Sequence, residues 1–373
     1  MDYAKRFYEL NSLFRLGTIT DLPDSNCRIH FFGFDSKGMR AANAVISDDT
    51  VLCDSITENS FFQYPVFVPK KNHNPDKAIL LLHGLNERNW SKYLTWAEYL
   101  CQKTGKAVIL FPIAFHINRS PQHWSNPRML QAVYDLRRKR NGDDRMLSFA
   151  NVALSERISE NPYRFYSSGR QSLSDIENLV FSIKNGEHQL FNENAQIDVF
   201  SYSIGSFLSQ IAFLTNTDGL FSDSRLFMFC GGSIFSEMFG QSRTIMDSKA
   251  FDRLYNYYRF EFMPENETAD HIDDALMAFC SMIAPERDEN KRTTFFSEMG
   301  QRLGGISLVN DKVIPYKGVE QALGTDLAHE RIGLYDFDFN YTHENPFPVN
   351  QQNTNAINYA FQTVFSQAAD FLG

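Results

Sequence analysis

One serine in this chain is placed where it can be made to react. Ser203 stands at the centre of Ser201-x-Ser203-x-Gly205, with the apolar run Ile197-Asp198-Val199-Phe200 before it. A second run, Phe207-Leu208-Ser209-Gln210-Ile211-Ala212-Phe213-Leu214, follows. The pattern predicts a strand, a sharp elbow and a helix. The elbow is one substitution away from G-x-S-x-G, in which a serine hydroxyl is held above a parallel sheet. A serine hydroxyl is a poor nucleophile at neutral pH unless a base takes its proton. The base needs an acid to orient it, and the developing oxyanion needs fixed donors. In a parallel sheet such groups lie at the carboxyl ends of strands, so only residues just beyond a strand qualify.

Asp311 qualifies, directly after the apolar run Ile306-Ser307-Leu308-Val309. His343 qualifies in the loop Phe339-Asn340-Tyr341-Thr342-His343-Glu344, between the last expected strand and the last expected helix. The order Ser203, Asp311, His343 is the one expected after a nucleophile elbow. His83-Gly84-Leu85 ends an earlier strand, so the backbone N–H groups of Leu85 and Ile204 can form an oxyanion hole. His83 itself reads as a residue that fixes this loop rather than as a base.

Each residue also has a plainer reading. Ser203 can be a turn serine, with Ser201 and Ser206 close by, and Asp311 a helix N-cap. Asp336 and Asp338 compete with Asp311 but sit at another strand, and His329 precedes the last strand rather than following it. Cys230 reads as an inert buried thiol. The loop after another strand carries His116, Arg119, Trp124 and Arg128, a set able to line a substrate pocket. Arg119 or Arg128 can bind a carboxylate or phosphate, or simply brace a loop through an ion pair.

The elements that must position these groups are legible in outline. Residues 1–20 read as a helix ending near Gly17. The β-formers at 28–34 and 61–69 read as two early strands. Continuous apolar runs at 78–82, 107–112 and 226–230 predict strands buried on both faces of a parallel sheet. Helices are expected at 91–103 (with Ser91 as N-cap), 172–184, 316–323 and 354–372. Strands alternating with helices argue for a parallel α/β sheet. Residues 1–115, 171–233 and 303–373 form its core, with an N-terminal extension. Residues 116–170 form an insertion near the site, and 234–302, rich in Phe and Met including Met263, a helical cap.

The constellation of His83-Gly84, Ser201-x-Ser203-x-Gly205, Asp311 within Asn-Asp-Lys-Val-Ile-Pro, and His343 resembles the α/β-hydrolase superfamily. The match to any named enzyme subfamily is poor, and the chain looks most like a bacterial branch. One departure matters: Ser201 stands where the pattern has Gly to avoid crowding in the elbow. The resemblance implies an α/β-hydrolase fold with a mostly parallel sheet and cap insertions. It also implies a serine hydrolase acting on a small-molecule ester or related acyl substrate through an acyl-enzyme, with no metal or other cofactor. An acyltransferase or peptidase on the same residues, or a non-catalytic binding protein on the scaffold, remain as alternatives.

Composition narrows the classes further. The chain has 373 residues, 43% hydrophobic and 22% charged, with a net charge of -9. The basic cluster Arg137-Arg138-Lys139-Arg140 is followed by Asp143-Asp144, so no stripe is set out for nucleic-acid phosphates. No apolar run approaches the ~20 residues that span a bilayer, and no secretory signal opens the chain. The cysteines, 27, 53, 101, 230 and 280, form no C-x-x-C pair. A reducing cytoplasm is the expected compartment. Nothing in the sequence sets an oligomeric state.

Overall fold

A computed structural model of the chain describes residues 1–37, 56–262, 273–350 and 352–373. Cys53 and Met263 lie outside these residues. Nine strands form one sheet: β1 (Thr20–Asp21), β2 (Cys27–Asp35), β3 (Phe61–Pro69), β4 (Lys77–Leu82), β5 (Ala107–Leu110), β6 (Gln196–Tyr202), β7 (Leu226–Phe229), β8 (Leu303–Leu308) and β9 (Ile332–Tyr335). Their spatial order is β1-β2-β3-β5-β4-β6-β7-β8-β9. From β5 to β9 every pairing is parallel, while β1, β2, β3 and β5 pair antiparallel. This is the mostly parallel, helix-flanked sheet of the α/β-hydrolase fold.

Strand residues alternate between two apolar layers. Leu80, Val199 and Met228 face one core, shared with Leu173, Ile176, Phe207 and Ile211. Ile79, Leu81, Phe200, Phe227 and Phe229 face the other, shared with Trp96, Phe361 and Phe365. Burial on both faces is why these strands read as continuous apolar runs rather than alternating ones. Trp96 packs edge-on to Phe200 and Tyr202, at 6.2 Å and 5.2 Å between ring centres. Much of the chain's high phenylalanine content is therefore core.

β4 has β5 on one side and β6 on the other. The chain leaves β4 towards one edge of the sheet and leaves β6 towards the other. A crevice opens at the carboxyl ends of strands where the winding reverses in this way. His83-Gly84-Leu85 follows β4 and Ser203 follows β6, so both loops meet at that crevice.

Several boundaries differ from the sequence pattern. The first helix is Tyr3–Leu13, and β1 follows within the stretch expected to be helical. The helix at Ser91–Thr104 stops at Gly105 in the left-handed conformation, φ 69°. Its N-cap is Trp90, however, and the Ser91 amide is met by Asn89 Oδ1 at 3.0 Å. The helix expected from 172 starts at Tyr163 and runs 22 residues to Lys184. Among the described residues between β7 and β8, α-helices run at Ser248–Asn256, Asp274–Ser281 and Glu289–Met299. β8 begins at Leu303 and takes in Gly304-Gly305. A Cβ on Gly305 would lie 2.4 Å from the Met228 carbonyl oxygen, so the close β7–β8 approach admits only glycine.

The segments before β6 and before β8 are tied together. Arg137, from the helix Pro127–Asn141, forms a buried ion pair with Asp247. Tyr258 Oη donates to the Pro162 carbonyl and accepts from the Tyr166 amide, both at 3.0 Å. Among the described residues, no helix is long and apolar enough to cross a membrane.

Gly305→Ala is expected to destabilise the fold by about 1–3 kcal/mol through overpacking. The drop should appear in the urea unfolding midpoint, and an unchanged midpoint would show that β7 and β8 can part at no cost.

Candidate active site

β6 delivers Ser203 and the helix Ile204–Thr215 leaves from it. Ser203 has φ 58° and ψ -124°, a region that an L-residue enters only under constraint. The constraint is visible. The Ser203 amide donates to the Phe229 carbonyl at 3.3 Å. A Cβ on Gly205 would lie 2.7 Å from the Leu82 carbonyl oxygen and 2.8 Å from that of His83. The helix can start so close under β4 only because residue 205 has no side chain. Ser201, in place of the usual glycine, is fully buried, with its Oγ 3.1 Å from Ser206 Oγ. Room for Ser206 comes from Gly231, where a Cβ would fall 2.2 Å from Ser206 Oγ. The neighbouring loop thus leaves the space that Ser206, the partner of the Ser201 hydroxyl, occupies.

Ser203 Oγ lies 2.6 Å from His343 Nε2, and His343 Nδ1 lies 2.7 Å from Asp311 Oδ2. A carboxylate only accepts, so Nδ1 carries the ring proton and Nε2 presents its lone pair to the serine hydroxyl. Asp311 Oδ1 accepts from the amides of Val313 and Ile314, both at 2.9 Å. Ser203, His343 and Asp311 are 4%, 4% and 5% exposed. Asp336 instead accepts from Tyr341 and Asn310, and His329 pairs with Glu320. Neither competitor joins the Ser203 cluster.

Tyr202 holds the histidine loop. Its Oη donates to the His343 carbonyl, and its ring stacks on the imidazole at 5.5 Å between centres. Lys92 Nζ sits 4.8 Å from the Tyr202 ring centre, donates to the Glu344 carbonyl at 2.7 Å and pairs with Glu87 at 2.6 Å. Tyr93 Oη donates to Glu87 and accepts from the Gly84 amide at 3.0 Å. One network therefore braces both the loop after β4 and the loop carrying His343. The sequence signal for Tyr202 was its place beside Ser203, but no spacing marks it as a support.

Both ring nitrogens of His83 are used. Nδ1 donates to the Gly84 carbonyl at 2.8 Å, and Nε2 accepts from the Ile113 amide at 2.9 Å. Burial holds this imidazole well below the usual histidine range. Cys230 also sits beside the cluster, at φ 46°. Burial, with the Asp311 carboxylate nearby, pushes its thiol well above the ordinary cysteine range.

A cavity opens at Ser203, walled by Leu85, Ile204, Phe165, Phe235, Met238 and Met246. Two side chambers adjoin it through Leu85 and Phe165. One is apolar, with Phe207, Ile211 and Phe279; the other is more polar, with Trp124, His116 and Arg157. Ile204 is the first residue of its helix, so its amide has no intrahelical acceptor.

The proposed arginine contacts need correction. Arg119 is 0% exposed and is not among the residues that line these cavities. Its guanidinium pairs with Asp175 at 2.8 Å, meets Asn59 and the Pro112 carbonyl, and lies 4.2 Å from the Phe62 ring centre. Burial lowers it to about 10. It braces the loop from inside and is out of a substrate's reach. Arg128 is exposed at the start of its helix and does not line the cavities. His116 and Trp124 do line them.

The family described as "Family of unknown function (DUF6051)" matches residues 1–373. No curated protein matches the chain. Among solved structures, it is similar to a hyperthermophilic esterase from the archaeon Pyrobaculum calidifontis, at 12% identity and a TM-score of 0.45, over 99% of this chain and 88% of that one. It is also similar to an S-formylglutathione hydrolase from Agrobacterium tumefaciens, at 15% identity and a TM-score of 0.47, over 96% and 100%. A third is carboxyl esterase 2 from the fungus Tuber melanosporum, at 10% identity and a TM-score of 0.42, over 99% and 96%.

Arg119→Met leaves Asp175 buried without its cation. It is expected to cost about 3–5 kcal/mol of stability, read as a lowered unfolding midpoint. An effect on KM for acidic esters with stability unchanged would contradict the bracing role.

Proposed function

Because the chain belongs to a family of unknown function, its chemistry has to come from its own side chains, and we propose that it is a serine hydrolase of small-molecule esters or related acyl compounds. The observation that carries this reading is the continuous hydrogen-bonded line from Ser203 through His343 to Asp311, set on a strained elbow. Such a line has little use in a turn serine, because it holds three polar side chains in an apolar interior.

In this reading Ser203 Oγ attacks the substrate carbonyl carbon as its proton passes to His343 Nε2. Asp311 keeps Nδ1 protonated and stabilises the imidazolium that forms. The amides of Leu85 and Ile204 meet the negative oxygen of the tetrahedral intermediate. Collapse breaks the bond to the leaving alcohol, which takes the proton from His343. Water then attacks the acyl-enzyme with His343 again as base, releasing the acid and restoring Ser203.

Residues 1–115, 171–233 and 303–373 serve as the hydrolase core. The insertions 116–170 and 234–302 wall the acyl site. Phe235 and Met238 support that role, because they line the Ser203 cavity. Phe262, Phe279 and Met282 are buried in the larger core, and Phe239, Phe260 and Met277 are exposed.

Ser203→Ala is expected to abolish labelling by a fluorophosphonate probe and to lower kcat on activated esters by roughly four orders of magnitude or more. Undiminished labelling would remove the serine from its role. Asp311→Asn should lower kcat on the order of ten-thousandfold by favouring the wrong imidazole tautomer.

A further inference from the structure

His116, a residue that lines the side chambers, carries a buried nitrogen with no use in this mechanism. His116 follows β5 and is 7% exposed. Its Nδ1 is 2.8 Å from the Ala114 carbonyl oxygen. A carbonyl only accepts, so Nδ1 is the protonated nitrogen and Nε2 is a lone-pair acceptor. Nε2 is buried and has no hydrogen-bond partner among the described residues. A buried acceptor left unpaired costs free energy that a bound donor restores.

His116 sits where that donor would arrive. It lines both side chambers next to Ser203. Its ring lies 5.4 Å from the His83 ring, and a Cβ on the next residue, Gly84, would lie 3.4 Å from Ser203 Cβ. One arm of an ester held at Ser203 would enter the His116 chambers past Leu85 and Phe165, which line all three cavities.

The chamber does not favour an anion there. A lone pair repels a carboxylate or phosphate oxygen, and burial holds the imidazole at about 4, so the ring stays neutral. The cations nearby are engaged. Arg88 donates to the Ala150 carbonyl and Arg164 pairs with Glu160. The Arg157 guanidinium lies 4.8 Å and 4.3 Å from the ring centres of Phe115 and Trp124.

We infer that His116 Nε2 is a specificity-determining acceptor, and that the substrate carries a hydrogen-bond donor, a hydroxyl or an amide N–H, on the arm that enters this chamber. The inference rests on the serine hydrolase reading for its substrate class but not for the acceptor itself. A site that hydrogen-bonds a donor discriminates against the analogue that lacks it, since its own polar atom is then left unpaired.

The test uses matched esters that differ only in the donor: hydroxyl against methoxy, and amide N–H against N-methyl. Each pair is varied in length and placed on the acyl or the alcohol arm. The readout is the ratio of kcat/KM values within a pair. At one length on one arm the ratio should be about tenfold or more. It should fall towards one in His116→Phe and be partly kept in His116→Gln, whose amide oxygen accepts. The better of the hydroxyl and N–H series identifies the donor. Ratios near one in the wild type for all pairs, with Ser203 labelled by fluorophosphonate, overturn the inference. If Ser203 is not labelled, the hydrolase reading has failed, and nitrogen NMR of His116 decides separately. Butanediol, but not dimethoxybutane, should then shift the Nε2 resonance, and an unmoved resonance overturns the acceptor.

Discussion

The site depends on how closely the start of the helix Ile204–Thr215 approaches β4. That approach holds Ser203 at positive φ and lifts its hydroxyl clear of the sheet. It exists because β6 is paired in parallel with β4 and β7, so the elbow must turn beneath the Leu82 and His83 carbonyls. A side chain at residue 205 has no space there. The strain of a non-glycine residue in this conformation, of order 1–3 kcal/mol, is supported by sheet pairing on both sides. A freestanding loop could not hold it.

The two partners of Ser203 come from far along the chain, yet each meets it with little freedom. Asp311 is fixed by two amides of its own loop, which aims its second oxygen at the imidazole. His343 lies on a longer loop and is held from outside by the Tyr202 ring and hydroxyl. The same tyrosine precedes the serine, so the nucleophile and the residue that holds its base are neighbours at the end of β6. Lys92 and Glu87 extend this bracing to the loop that carries Leu85.

Much of this was legible in the sequence because the signals were local. Apolar runs marked the parallel strands, and the small-residue turn marked the elbow. The strand-end rule placed Asp311 and His343, which the structure brings to Ser203. What was not legible depended on contacts across the fold. Gly304-Gly305 lies inside β8, and the reason for glycine at 305 is the Met228 carbonyl on the next strand. Arg119 reads in the sequence either as a ligand contact or as a loop brace. Its burial follows from Asp175, which no spacing connects to it. Ser201 departs from the motif, and no local pattern shows that Gly231 leaves room for Ser206, the partner of its hydroxyl.

The helix Tyr163–Lys184 gives the cavity an asymmetric build. At about 1.5 Å per residue its 22 residues make a rod of about 33 Å. One end carries Phe165 into the cavity wall, and the other buries Ile176, Val180 and Ile183 against the sheet. That wall is therefore anchored in the hydrophobic core and behaves as a fixed jaw. Widening the pocket on this side would mean tilting a rod seated in the foundation of the fold.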